Sequence, residues 1–350
     1  MTLNLPASTR EWLLGEDNPA VAVLTRRTIL GEPDDDAAPK LWAQRNDYPP
    51  VKAILDAARE DGSWAPPAQD YKKYEGSLWQ IVFLGELWAD AADERVRGGA
   101  AYAFSRQVQD GSWSCSNMRQ SGCIPCLTAN VGRSLARLGF ERDERVLAAL
   151  EYCVRLYEQR GVVNCWQADG YQLNGYCHML TPKLLLFLGE VPQELWPEGA
   201  EALREECVAK LREKQVFRCL PEEVREFNDQ LMSMSSEERK GFRERFLAEH
   251  QELHGKEKPG WLRFGFPLSY NSDALEALLA LMAVGERPRE EYAEAIELVR
   301  DSADSQWRWK LRNSLNGKML ADIEVKGQPS KWITLRALQV LDWAEKTAPA

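Results

Sequence analysis

Histidine is nearly missing from this sequence, with three in 350 residues, and so is any surplus of positive charge. Lys and Arg total 44 against 54 Asp and Glu, a net charge of −10. A nucleic-acid surface needs clustered basic residues to neutralise phosphates, so this balance argues against nucleic acid as a partner. Long apolar runs are lacking too. The longest candidates are broken by Glu, Asp or Arg, which leaves no helix suited to crossing a bilayer. The opening MTLNLPASTREWLLGEDNP has no basic stretch followed by an apolar one, so it does not read as a secretory signal. The expectation is a soluble, cytoplasmic protein. In that compartment the eight cysteines are expected as thiols or metal ligands rather than disulfides.

What the chain does have is tryptophan, 13 in all, and a repeated corner. Glu60-Asp61-Gly62-Ser63-Trp64 and Gln109-Asp110-Gly111-Ser112-Trp113 are nearly identical. Weaker versions are Gly161-Val162-Val163-Asn164-Cys165-Trp166 and Asp304-Ser305-Gln306-Trp307-Arg308-Trp309. Each follows a helix-like segment and leads through a loop into a more apolar one. Trp64, Trp113 and Trp307 are assigned to packing at these corners.

Hydrophobic periodicity predicts alternating apolar and charged-striped helices. The pairs are 19–30 with 50–59, 76–89 with 93–107, 125–138 with 143–159, 175–188 with 199–214, and 271–284 with 289–301. Residues 330–345 begin a sixth pair. Glycines 139 and 285 read as left-handed helix stops. Inner and outer helices alternating with a period of roughly 50 residues predict an all-α solenoid or, if the ends meet, a closed double ring. The whole chain, 1–350, is then a single domain. Residues 218–265 break the rhythm and read as an insertion at the face where the loops gather.

The Gln-Asp-Gly-Ser-Trp corner resembles the QW repeat of squalene–hopene cyclases and related terpenoid cyclases. The protein prenyltransferase β-subunits share the α/α toroid of that superfamily. Residues 329–338 also look like the last inner helix of squalene-cyclase-like proteins. The resemblance implies a toroid of about six helix pairs and an isoprenoid or similar apolar ligand in a central cavity. It does not bring cyclase chemistry with it. The Asp-x-Asp-Asp acid of class II enzymes is absent, and Asp34-Asp35-Asp36 reads as a charged turn. The class I Asp-Asp-x-x-Asp is broken by Ala38. Prenyltransferases hold one zinc with Asp, Cys and His. Asp273 opens an inner helix here but lacks the family's Cys two residues on.

The cysteines carry an argument of their own. Cys115, Cys123 and Cys126 fall in one corner loop, and Cys165, Cys177 and His178 in the next. His250 and His254 lie in the insertion. If inner helices all run one way, these loops emerge at one end, where thiolates and imidazole suit tetrahedral zinc. An iron–sulfur cluster, a redox pair at Cys123 and Cys126, and plain buried thiols are the alternatives. Trp79, Tyr176, Trp261, Phe266, Tyr270 and Trp332 are candidates to line a pocket at the mouth, against the alternative of ordinary interhelical packing. Asp273 and His178 are the acid–base candidates. The activity expected of such a site is that of a zinc-dependent transferase or a cyclase-like lyase or isomerase. The rival expectation is a non-catalytic ring, stapled by metal, that binds a partner protein.

Overall fold

Gly62 and Gly111 sit at the tips of the two best-formed corners with φ of +78° and +92°, a backbone shape that favours glycine. The computed structural model describes residues 5–32, 37–115, 124–161, 163, 177–219, 227, 230–231, 233–235, 237–239, 241–253, 257 and 259–346. Helices run in the order α1 (Ala7–Leu13), α2 (Pro19–Thr25), α3 (Ala37–Ala43), α4 (Pro49–Asp56), α5 (Ser77–Glu86), α6 (Glu94–Ser105) and α7 (Pro125–Leu135). They continue with α8 (Glu144–Arg160), α9 (Leu180–Glu190), α10 (Ala200–Glu213), α11 (Phe242–Glu249), α12 (Ala274–Ala283), α13 (Ala293–Asp301) and α14 (Lys331–Lys346). The described residues contain only isolated β-bridges and no strand. The chain is all-α, as its periodicity predicts.

The apolar helices form the inner layer. α5 packs on α7, α7 on α9, α9 on α12, α12 on α14, and α14 returns to α2. All ten residues of α5 are buried, as are all but Cys126 of α7. The more polar α4, α6, α8, α10 and α13 each pack on this layer from outside. The chain ends then meet. Arg308 Nε donates to Thr9 Oγ1 at 3.2 Å, Arg308 Nη2 donates to the Ser8 carbonyl at 3.1 Å, and Lys331 Nζ lies 2.5 Å from Asp17. α1, which the periodicity left unassigned, thus stands beside the last corner and helps to close the double ring.

The corners repeat one hydrogen-bond scheme. Asp61 Oδ1 accepts from the Ser63 amide at 3.0 Å and the Ser63 hydroxyl at 2.6 Å, and Asp110 treats Ser112 identically. The indole N–H of Trp64 donates to the Ile54 carbonyl at 2.7 Å, and that of Trp113 to the Ala103 carbonyl at 2.8 Å. These carbonyls lie in the last turns of the outer helices, where each also accepts from the residue that ends its helix, Ala57 or Arg106, and has a second lone pair for the indole. The backbone N–H of each Trp donates onward, to Ser77 Oγ at 3.0 Å or Thr128 Oγ1 at 3.1 Å, in the next inner helix. One residue therefore ties the end of an outer helix to the start of an inner one.

The last corner corrects the expectation for Trp307. It is Trp309 whose indole donates to the Val299 carbonyl at 2.7 Å and whose amide donates to Thr334 Oγ1 at 3.0 Å. Asp304 here accepts from the amides of Gln306 and Arg308, so the turn is longer and the working tryptophan falls two residues later. Trp307 is only half-buried and packs edge-on against Trp309, 6.3 Å between centroids.

Two further features place the site. The described part of the insertion has its own small core of Phe227, Leu231, Phe242 and Phe246, separate from the main one. The inner helices also bury charge. Glu86, Arg133, Lys183 and Glu276 are each less than 8% exposed. Buried charges persist only when paired, and here Glu86 pairs with Arg133 between α5 and α7, and Lys183 with Glu276 between α9 and α12.

Candidate functional site

The inner helices begin at the corners, so their N-terminal ends mark the mouth and their C-terminal ends the base. At the mouth, residues 264–273 lead into α12 and reach across the ring. The Ser269 carbonyl accepts from Asn130 Nδ2 of α7 at 3.1 Å, and the Asn271 carbonyl from Lys183 Nζ of α9 at 2.8 Å. Ser272 Oγ donates to the Met179 carbonyl at 3.1 Å. The Tyr270 hydroxyl meets that of Tyr71, on the segment before α5, at 3.0 Å.

Trp79 lies at the centre of the resulting aromatic cluster. Its ring is fully buried, edge-on to Tyr270 at 4.8 Å and to Tyr74 at 5.2 Å. Tyr71 and Phe83 lie at 6.1 and 6.4 Å. Such separations and tilts are those favoured by ring quadrupoles. Lys73 Nζ sits 5.3 Å from the Tyr74 centroid and 5.4 Å from that of Tyr270, so cationic charge already rests on these faces.

Cys115 and Cys126, both half-buried, belong to the same cluster. Burial raises the Tyr270 hydroxyl pKa well above its usual value, and the charge a thiolate would carry at Cys126 or Cys115 adds to the rise. Tyr71 is raised by burial for the same reason, with both thiols contributing. Burial also pushes the Cys115 thiol up. Two thiols thus lie near enough to two buried phenols to affect their ionisation.

The other predicted residues are distributed differently. His178 is fully buried, stacked on Trp261 with 4.2 Å between centroids, and its Nε2 donates to the Val216 carbonyl at 2.7 Å. Cys177 is fully buried and its amide donates to the Val163 carbonyl at 2.6 Å. Phe266 stacks on Trp332 at 4.9 Å, and the Arg336 guanidinium lies 4.5 Å from the Phe266 centroid. The described aromatic candidates therefore form separate pairs, Trp79 edge-on to Tyr270, Trp261 stacked with His178, and Phe266 stacked with Trp332. Cys123, Cys165, Tyr176, His254 and the acidic run 34–36 lie outside the described residues. Among the described residues no three His, Cys, Asp or Glu side chains come together to suit a metal ion.

Asp273 caps α12. Its Oδ1 accepts from the Glu276 amide at 2.8 Å and its Oδ2 from the Gly265 amide at 2.9 Å. Burial and the neighbouring Glu276 raise its pKa to about 7, against the lowering effect of the two amides and of Lys183. Lys183 Nζ is 2.5 Å from Glu276 Oε1. A carboxyl titrating near neutrality is suited to proton transfer, and this one also holds Gly265 against the start of α12.

At the base a second charged group fills the ring. Glu86 receives Arg133 of α7 and Arg336 of α14, each at 2.5 Å. Glu190 of α9 pairs with Arg137 and lies 3.7 Å from Arg133. Burial alone would raise the Glu86 carboxyl, but Arg133, Arg336 and Arg137 together hold it well below the usual range.

No family model matches the chain, and no curated protein matches it significantly. Among solved structures, a protein from Actinoplanes is similar at 18% identity over 89% of this chain and 100% of its own, with a TM-score of 0.31. The type II terpene cyclase MstE from Scytonema is similar at 12% identity over 88% of this chain and 99% of its own, with a TM-score of 0.35. A variant of that cyclase in complex with geranylgeranyl dihydroxybenzoate is similar at 11% identity, over 88% of this chain and 98% of its own, again with a TM-score of 0.35. At these scores the likeness carries no argument about the site. No helix among the described residues is long and apolar enough to cross a membrane.

Sequence reasoning passed over Tyr71, Tyr74 and Lys73, which lie before the inner helix rather than on it. It also passed over the base cluster. A signal for the latter was available, since a charged residue within an otherwise apolar inner helix must find a partner there.

Proposed function

We propose that the mouth of the ring binds an apolar, isoprenoid-like ligand against the Trp79 cluster, beside a zinc site built on Cys115 and Cys126. The observation that carries this reading is the cluster itself: π-faces from Tyr71, Tyr74, Trp79 and Tyr270, gathered from opposite parts of the chain onto two thiols. Aromatic faces offer both apolar area and attraction for cationic charge. Lys73 already lies over two of them.

For zinc, the fit is partial and specific. Cys115 and Cys126, which act on the same two phenols, supply two soft donors, half the number a tetrahedral structural site requires. The remaining donors in this proposal are Cys123 and Cys165, whose loops flank the pocket in sequence. Of the other two candidates, His178 is the weaker, because its ring is bonded to the Val216 carbonyl and stacked on Trp261, whereas the Cys177 bond to Val163 is made by its amide. Zinc bound by four such thiolates would hold the two corner loops together. Of the acid–base candidates Asp273 is the better supported, since its carboxyl changes charge near neutrality. An isoprenoid class of ligand also agrees with the corner sequences.

A second reading has its own observation. The Arg336–Glu86–Arg133 bridge braces the ring from within, and the insertion carries a separate small core. Both suit a rigid, non-catalytic scaffold with a protein partner on the insertion.

Titration with geranylgeraniol, followed by tryptophan emission, tests the first reading. A saturable change in the wild-type protein that is lost in Trp79→Leu and Tyr270→Leu supports it. No saturable change in a protein whose circular dichroism is intact removes it and leaves the scaffold.

A further inference from the structure

Residues 310–328, between the last corner and α14, form a loop held by its own hydrogen bonds. At its neck the Leu311 amide donates to the Gln328 carbonyl at 2.9 Å, and the Gly327 amide to the Leu311 carbonyl at 2.8 Å. Within it, Asn316 Oδ1 accepts from the Ile323 amide at 3.1 Å and Asn316 Nδ2 donates to the Glu324 carbonyl at 2.8 Å. Asp322 Oδ1 accepts from the Gly317 amide at 2.7 Å. The Glu324 carboxylate turns to the start of α14, where it accepts from the Lys331 amide at 2.7 Å and from the Ser330 hydroxyl. Leu311, Leu315 and Ile323 are buried, and Met319 and Ala321 pack against the main core.

Leu320 and Val325 stay outside, 43% and 66% exposed, and they are the only large apolar side chains exposed among the described residues. Single exposed apolar residues scattered over a surface need no explanation. Two on one tied loop, with none elsewhere among the described residues, are not scattered. The charge around them is as uneven. Lys310, Arg312, Lys318 and Lys326 of the loop are exposed. The Arg312 amide donates to the Phe264 carbonyl at 3.0 Å, which brings exposed Arg263 beside them. None of these five cations has an ion pair among the described residues. The one exposed carboxylate of the loop is Asp322. A chain of net charge −10 thus gathers unpaired positive charge around its exposed apolar side chains. Residue 264 also begins the stretch that crosses the mouth, so this patch lies at the rim.

We propose that the 310–328 loop, with Arg263, docks the rim of the mouth on an anionic phospholipid surface. Such a surface presents negative headgroups over apolar depth, which matches apolar side chains ringed by Lys and Arg. Leu320 and Val325 enter the boundary between headgroups and acyl chains, while the long basic side chains stay at headgroup level. An acidic polypeptide would answer the charge alone. The docking surface stands on its own side chains and does not depend on what the mouth binds.

The test sediments the purified full-length protein with sucrose-loaded vesicles of phosphatidylcholine, alone or with an equal part of phosphatidylserine. Binding to the mixed vesicles is expected, weakened by added salt and weaker on phosphatidylcholine alone. Lys318→Gln combined with Lys326→Gln should weaken it about 25-fold, or about fivefold for each charge. Leu320→Ser and Val325→Ser should each weaken it about tenfold. All four side chains are exposed, so the melting temperature should not change and the losses report the surface rather than the fold. Absence of the protein from the mixed-vesicle pellet overturns the proposal. So does binding that the lysine substitutions weaken but those at Leu320 and Val325 leave unchanged. Binding to polyglutamate without binding to vesicles also overturns it, and assigns the patch to an acidic polypeptide.

Discussion

Alanine in place of Gly111 should destabilise the protein far more than alanine in place of Gly139. The two glycines have nearly the same backbone shape, φ of +92° and +95°. An L-residue at either must adopt the left-handed region, which costs about 1–2 kcal/mol. Both substitutions also reduce the freedom of the unfolded chain to a similar degree, so that contribution cancels between them. They differ in what the new methyl group meets. At Gly139 a Cβ would find nothing within 4 Å, whereas at Gly111 it would lie 2.2 Å from the Ala148 carbonyl oxygen and 2.6 Å from its carbon. Those are backbone atoms of α8, which cannot rotate away as a side chain could. Relief requires the corner to move off α8, at a further cost of about 1–3 kcal/mol. Gly62 is built the same way, its Cβ position lying 2.3 Å from the Gly98 carbonyl oxygen of α6. Urea unfolding of the two variants measures the difference through their midpoints at equal slope. Equal losses of stability would refute the claim that the corner glycine is there for close approach to the neighbouring outer helix.

Three other outcomes follow from the same structure. Replacing Trp309 by Phe removes the indole donor to the Val299 carbonyl and should cost on the order of 2–3 kcal/mol, while Trp307→Phe should cost well under half as much; denaturant midpoints rank the two. Asp273 has its pKa raised from 3.8 to about 7, so between those values the folded state holds a proton that the unfolded state has released. Stability should therefore fall as pH rises through that window, by on the order of 4 kcal/mol in total. Asp273→Asn should flatten the slope, and an unchanged slope in unfolding curves taken from pH 4 to pH 8 would show that this carboxyl is not the source. Elemental analysis should find about one zinc per chain under the proposed site. Cys115→Ser and Cys126→Ser should each lower that content, and a zinc-free protein with both thiols titratable would remove the metal.

The architecture was legible because it is written several times over. Asp61 and Asp110 stand at the same place in near-identical corners, and the structure gives them the same hydrogen bonds. The inner helices announced themselves through uninterrupted burial, as in α5. Where a repeat had lengthened, at 304–309, spacing from the first tryptophan misled, because only the tertiary partner Val299 identifies Trp309. α1 was invisible for a related reason: its place is set by Arg308 and Gln306, some 300 residues away in sequence.

The site was less legible. Sequence neighbours suggested that Cys177 and His178 join Cys115 and Cys126; in the fold the Cys177 amide bonds to the Val163 carbonyl, and the His178 ring bonds to the Val216 carbonyl and stacks on Trp261. The aromatic candidates looked like one ring because all lie near loop ends. Packing divides the described ones into separate pairs, edge-on for Trp79 with Tyr270 and stacked for Trp261 with His178 and Phe266 with Trp332. The base cluster, by contrast, could be inferred only as a set of charges requiring partners. Which charge meets which depends on helices α5, α7, α9 and α14 converging, and no local pattern encodes that.

The central claim is that the mouth is a ligand site, and protection of its thiols tests that most directly. After zinc is removed with a chelator, Cys115 and Cys126 should be alkylated at a measurable rate, read by peptide mass spectrometry. With saturating geranylgeraniol both rates should fall together, while the rate at an exposed engineered cysteine far from the mouth stays constant. Unchanged alkylation at Cys115 and Cys126, with the ligand shown to be bound, would place the ligand elsewhere and contradict the account.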